Sequence, residues 1–157
     1  MADTERHQEL SIRTDEQHRE LDELFDSAQA AVKSAGRMGP AEVGLLARLV
    51  SATEEHFRTE EEMMRLMPGW QQRFGWHIEQ HRVLLFELIK LREDALRREA
   101  GSSLTLLDYL HRWMTDHVTN VDPSLDAIIL SAHELDRDLL NAGAVGHEQT
   151  GWIEPDR

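Results

Sequence analysis

Residues 45–67 read Leu-Leu-Ala-Arg-Leu-Val-Ser-Ala-Thr-Glu-Glu-His-Phe-Arg-Thr-Glu-Glu-Glu-Met-Met-Arg-Leu-Met, and this stretch decides the fold. Leu45, Leu49, Ala52, His56, Glu60, Met63, Met64 and Met67 recur at three- and four-residue spacing, which is the period of one helix face. His56 and Glu60 are four residues apart, a rotation of about 400°, so they stand one turn apart on that apolar stripe. Gly39-Pro40 opens the helix and Pro68-Gly69 stops it.

The same pattern repeats on both sides. A first helix is predicted to open at Thr14, where Thr14-x-x-Gln17 reads as a capping box. It carries His18, Leu21, Leu24, Phe25, Ala28 and Val32 and ends near Gly36. A third helix runs from about Gln71 through Phe74, His77, Ile78, His81, Leu84, Leu85, Leu88 and Leu91 to Gly101. Ser102 or Ser103 is the expected cap of a fourth, with Leu106, Leu110, Trp113, Met114 and His117. Asp122-Pro123 starts a shorter fifth, with Leu125, Ile128, Ile129, Ala132, Leu135 and Leu139, and residues 143–157 form a loose tail containing Trp152. No alternating strand pattern competes. Short connections between long amphipathic helices predict an all-α fold, an antiparallel up-down four-helix bundle with an additional short C-terminal helix. One domain is expected over residues 1–142, its core over about 11–140.

Composition narrows the function. There is no cysteine, hence no disulfide framework and no thiolate ligand. The net charge of -13 argues against nucleic acid and anionic membrane as partners, because both require a positive footprint. The first residues hold no apolar run and nothing approaches the roughly 20 apolar residues of a membrane span, so a cytoplasmic protein is expected.

The polar residues on the apolar stripes carry the chemistry. His77 and His81 repeat the four-residue spacing of His56 and Glu60, and His18 and His117 sit in line with leucines and methionines of their own helices. Each buried polar group without a partner costs roughly 1–3 kcal/mol, and an unpaired carboxylate costs more. A shared cationic partner removes that cost, and five imidazoles with two carboxylates suit two divalent metal ions. Asp122 lies five residues after His117, about 140° away on a continuous helix. The residue before a proline avoids the α region, so a helix break at Asp122 is expected, with Asp122 as N-cap of the next helix and its carboxylate swung back toward His117.

With these residues the chain resembles the hemerythrin family, more closely its prokaryotic members. The resemblance covers roughly residues 11–140 and is carried by Asp15-Glu16-Gln17-His18 with Leu21, His56-Phe57-x-x-Glu60-Glu61-x-x-Met64, His77-x-x-x-His81 and Trp113-Met114-x-x-His117-Val118. It implies a non-haem di-iron centre that binds O2 reversibly. By that likeness His77, His81 and His117 hold one iron, His18 and His56 the other, and Glu60 and Asp122 bridge them together with an oxo or hydroxo group. Such a ligand set leaves one position open, on the iron with two histidines. The chain departs from the family in having Glu9-Leu10-Ser11-Ile12 where a Trp-Asp-Pro-like segment is common, and in a longer stretch from Glu60 to His77 that is expected to reshape the loop over residues 66–76.

Di-iron carboxylate proteins of the ferritin-like type rely mainly on glutamate, whereas neutral imidazoles dominate here. Reversible O2 binding for storage, delivery or sensing is therefore expected rather than enzymatic oxidation. A di-iron NO or peroxide reductase, and a metal-stabilised helical interaction module, are the alternatives. Imidazole also suits zinc and other metals, and manganese or zinc ranks second to iron. Phe57, Trp113, Met114 and Val118 are expected to be core side chains that also wall the O2 pocket. His7, His111, His133 and His147 have no ligand partner at helical spacing, and His111, about 240° from His117, is expected at the surface. Glu61 and Glu62 are expected to be solvated charges.

Overall fold

A computed structural model describes residues 2–145, with side-chain surroundings from Thr4 onward and, beyond Ala132, only at Glu134, Leu135 and Asp138. The chain is helical almost throughout: α1 Ala2–Ala35, α2 Pro40–Arg65, α3 Trp70–Asp94, a 3-10 turn Ala95–Arg97, α4 Ala100–Asp116, a π-helical turn His117–Val121, and α5 Asp122–Val145. No strand occurs among the described residues. Packing of α1 on α2, α2 on α3, α3 on α4 and α4 on α1 closes the four-helix bundle. Cross-helix pairs such as Arg6 with Glu62 and Arg13 with Glu55 run in opposite chain directions, so neighbours are antiparallel.

Local chemistry accounts for the ends. Gly39 is extended ahead of Pro40, and its N–H donates to the Glu42 carboxylate at 2.9 Å, relieving one of the orphan donors of the first turn. Gly69 turns the chain at φ 70°, a conformation open to glycine, and α3 starts at the next residue. The expected long loop over residues 66–76 is therefore short: only residues 66–69 are non-helical.

Four boundaries differ from expectation. Helix α1 begins at Ala2, not Thr14, and the Thr14 hydroxyl donates to the Ser11 carbonyl at 2.8 Å inside the helix. The extra turns are held by burial of His7 and Leu10 against later helices. Helix α3 ends at Asp94, so Gly101 lies inside α4. The cap of α4 is Glu99 rather than Ser102 or Ser103, and Ser103 is buried within the helix. The fifth helix is neither short nor an appendage, since it continues α4 through the π turn and runs to Val145, into the predicted tail. The rest of that tail, with His147 and Trp152, lies outside the described residues, as do the side chains of His133 and Leu139.

The interior is divided. A larger apolar cluster, with Phe25, Leu49, Leu88 and Leu110, fills one end of the bundle. A second, with Leu10, Met63, Met64, Phe74, Leu125 and Ile129, fills the other and joins the first turns of α1 and α5 to the α2–α3 corner. Ile128 and Leu135 are partly or largely exposed, so the apolar stripe of α5 outruns the surface that covers it. Between the clusters lies a layer of histidine and carboxylate.

Candidate metal centre

All seven residues picked out by spacing meet in that layer. His56, Glu60, His77, His81, His117 and Asp122 are buried, while His18 keeps 19% of its side chain exposed. Helix α1 supplies His18, α2 supplies His56 and Glu60, α3 supplies His77 and His81, and the α4–α5 junction supplies His117 and Asp122. Their donor atoms form two groups, each lying within 4.8 Å: Glu60, His77, His81 and His117 in one, and His18, His56, Glu60 and Asp122 in the other.

The π turn brings in Asp122. Its N–H bonds to the His117 carbonyl, an i→i+5 link that widens the turn and returns residue 122 to the face of residue 117. Asp122 stays in the right-handed α region (φ -61°, ψ -39°), so the expected helix break and N-cap do not occur. The sequence rule for residues before proline pointed to a break, and the chain accommodates Pro123 by widening instead. Asp122 Oδ1 lies 3.0 Å from His117 Nε2 and 3.5 Å from His77 Nε2. Its Oδ2 lies 3.2 Å from His18 Nε2 and 4.0 Å from His56 Nε2. One carboxylate oxygen thus faces each group. Glu60 Oε2 sits between them, 3.0 Å from His81 Nε2, 3.6 Å from His77 Nε2 and 3.7 Å from His56 Nε2.

These residues fit a metal. His18 Nε2, His56 Nε2, His81 Nε2, Glu60 Oε2 and both Asp122 oxygens are buried without an aligned hydrogen bond, although nitrogens and oxygens lie within 4 Å of one another. Lone pairs aimed at a common centre give that combination of proximity and misalignment, and a cation there would satisfy them together.

Protonation in the metal-free chain follows the same geometry. Burial pushes the His56 pKa down to about 4, against the pull of Glu60, so its imidazole is neutral. Burial opposes charge on His117 too, but the Asp122 and Glu60 carboxylates outweigh it and raise its pKa to about 9. His77 is raised in the same way. Glu60 and Asp122, despite burial, are held well below the usual carboxylate range by the histidines that crowd their oxygens. A proton on His117 occupies the place a cation would take.

Outside the seven, the surroundings of the two groups differ. The His117 Nδ1 lies 3.2 Å from the Gln80 amide oxygen, and Trp113 stacks on the same ring at 5.0 Å. His81 Nδ1 lies 3.5 Å from Glu61, and Phe57 stacks on that ring at 3.9 Å. Glu61 is therefore not a freely solvated charge; Glu62, which pairs with Arg6, is nearer that description. Gln80 and Glu61 escape a reading of spacing because their partners lie across a helix interface. On the other side a cavity of about 230 Å³ lies between α1 and α4, lined by His18, Asp22, His111, Met114 and Val118 among others. Of the four expected pocket residues, Met114 and Val118 reach this cavity, whereas Phe57 and Trp113 pack on the three-histidine group. His111, expected at the surface, is half-buried at the cavity edge: its Nε2 lies 2.8 Å from the exposed Asp22 and its ring stacks on Phe25 at 4.8 Å. His7, expected to lack a ligand partner, is buried with Asp126 3.0 Å away and lies outside both groups.

Among the described residues, a helical bundle crossed by a layer of histidines and two carboxylates has the donor set to hold a cation. The chain belongs to the hemerythrin family: the family described as Hemerythrin HHE cation binding domain matches residues 13–123, a span that includes all seven residues of the layer. Comparison with curated proteins and with solved structures gives no match. No helix among the described residues is long and apolar enough to cross a membrane.

Proposed function

We propose that the protein holds two iron ions in this layer and binds O2 reversibly as a non-enzymatic storage, delivery or sensing protein of the cytoplasm. His77, His81 and His117 would hold one ion, His18 and His56 the other, with Glu60 and Asp122 spanning both. Iron, when bound, supplies two adjacent redox-active centres able to share the electrons that a diatomic ligand takes up and returns.

The observation that carries this reading is the asymmetry of the layer. The group with only two histidines is the one whose His18 borders the α1–α4 cavity. Met114 and Val118 give that cavity an apolar wall against which a small uncharged ligand can rest. Its volume of about 230 Å³ is below the range of roughly 300–1,000 Å³ usual for drug-sized ligands, which favours a diatomic molecule over an organic substrate. The scarcity of carboxylates gives the metals less anionic donation than glutamate-rich di-iron enzymes provide, which favours release of the ligand unchanged.

Reduced, iron-loaded protein exposed to O2 should develop a visible absorption band that vanishes under argon and returns over repeated cycles. A band that forms once and never reverses contradicts the reading. Sustained turnover of NO or peroxide would replace it by a reductase.

A further inference from the structure

We infer that Glu61 and Gln80 are positioning residues that hold His81 and His117 with their Nδ1 atoms protonated and their Nε2 atoms turned into the metal layer. The inference rests on the metal reading above and adds what fixes the three-histidine group in place. A neutral imidazole has one N–H and one lone pair, and a partner that accepts from one nitrogen reserves the other for coordination. His81 Nδ1 faces the Glu61 carboxylate at 3.5 Å while its Nε2 faces Glu60 at 3.0 Å. His117 Nδ1 faces the Gln80 amide oxygen at 3.2 Å while its Nε2 faces Asp122 at 3.0 Å.

Each ring is gripped at a second point. Phe57 lies nearly parallel to His81, with an interplanar angle of 6°, and Trp113 nearly parallel to His117, with an angle of 11°. A hydrogen bond at one edge and an aromatic plane against the face leave the imidazole little freedom to flip or tilt. His56 has neither device in full: its Nδ1 is buried without a hydrogen-bond partner, and Phe57 meets its ring at 45°. Glu61 differs from Gln80 in being charged, so His81 gains donor strength as well as orientation, because a carboxylate acceptor makes the imidazole more basic.

Cobalt(II) is a suitable probe, because it needs neither O2 nor redox turnover and displaces the resonances of exchangeable ligand protons in proton NMR. Wild-type protein should bind it and show shifted N–H signals from its coordinated histidines. Glu61→Leu should bind cobalt about 10–100-fold more weakly, the usual cost of losing such a partner, and lose one of those signals to fast exchange. Glu61→Gln keeps an acceptor without the charge and should restore the signal and part of the affinity. Leu and Gln both retain helix propensity, and circular dichroism of the metal-free variants checks the fold. Glu62→Leu, at a residue paired with Arg6 away from the layer, should match wild type. Wild-type affinity and an unaltered signal in Glu61→Leu would overturn the inference, as would equal losses in the Leu and Gln variants. Failure of wild type itself to bind cobalt would overturn the metal reading instead.

Discussion

The two halves of the histidine–carboxylate layer are built differently, although they share Glu60 and lie side by side. Around His77, His81 and His117 the rings are packed by Phe57 and Trp113 and backed by Glu61 and Gln80. Around His18 and His56 there is a solvent-facing cavity, and His18 is the only one of the seven that is not buried. One half is arranged to hold and the other to admit. The difference has a simple physical source: Phe57 of α2 and Trp113 of α4 lie flat on the His81 and His117 rings, whereas His56 meets Phe57 only at a tilt. On the proposed reading, a rigid, closed half would bind its ion without reorganising, while an open half would leave room for an exogenous ligand.

The largest effect should come from the residue that both halves share. Glu60→Ala removes the carboxylate that belongs to both donor groups and should reduce metal content toward zero, measured as metal per chain after loading and desalting. Retention of both ions would show that the halves do not depend on Glu60.

Next come the single-histidine variants, which should separate the halves. His81→Ala should lose most bound metal, because the closed half has no spare donor. His18→Ala should keep about one ion per chain and lose reversible O2 binding, as the open half loses one of two imidazoles. Equal metal loss in both variants would erase the distinction.

Proton linkage gives an intermediate effect on the metal-free protein. The folded His117 pKa is raised from the ordinary 6.5 to about 9, so its stabilising contribution is full below pH 6.5 and is lost as pH rises through about 9. His56 is lowered from 6.5 to about 4, so holding it neutral costs stability progressively as pH falls from 6.5 toward 4. The metal-free melting temperature should therefore be highest near neutral pH and fall on both sides. Metal must displace the His117 proton, so loading at pH 7 should release protons, measurable by titration calorimetry in buffers of different ionisation enthalpy. Loading without proton release contradicts the raised His117.

The smallest effect should come from the cavity wall. Met114→Leu conserves volume and should cost less than about 1.5 kcal/mol in stability, checked by denaturant unfolding, while leaving metal content unchanged. Its influence should be confined to the rate of gas release, measured by stopped flow.

Much of this was legible from spacing. His18, His56, Glu60, His77, His81 and His117 lie on apolar stripes, and helical periodicity alone puts them inside. Asp122 was recognisable, but its route was not, because the pre-proline rule argues for a break and says nothing of a widened turn. The early start of α1 was hidden because His7 and Leu10 are covered by α5 and the α2–α3 corner, contacts between segments far apart in sequence. Glu61 and Gln80 were hidden for the same reason: their role depends on the register of α3 against α2 and α4, which no single-helix pattern contains. Local period is written in the chain, whereas register between helices is set by packing.

The most direct test of the asymmetric two-metal centre is crystallography of the iron-loaded protein with anomalous differences collected at the iron edge. Two peaks are predicted, one among His77, His81 and His117 and one beside His18 and His56, the second with an open position facing Met114 and Val118. A single peak, or two ions both saturated by protein ligands, would contradict the account.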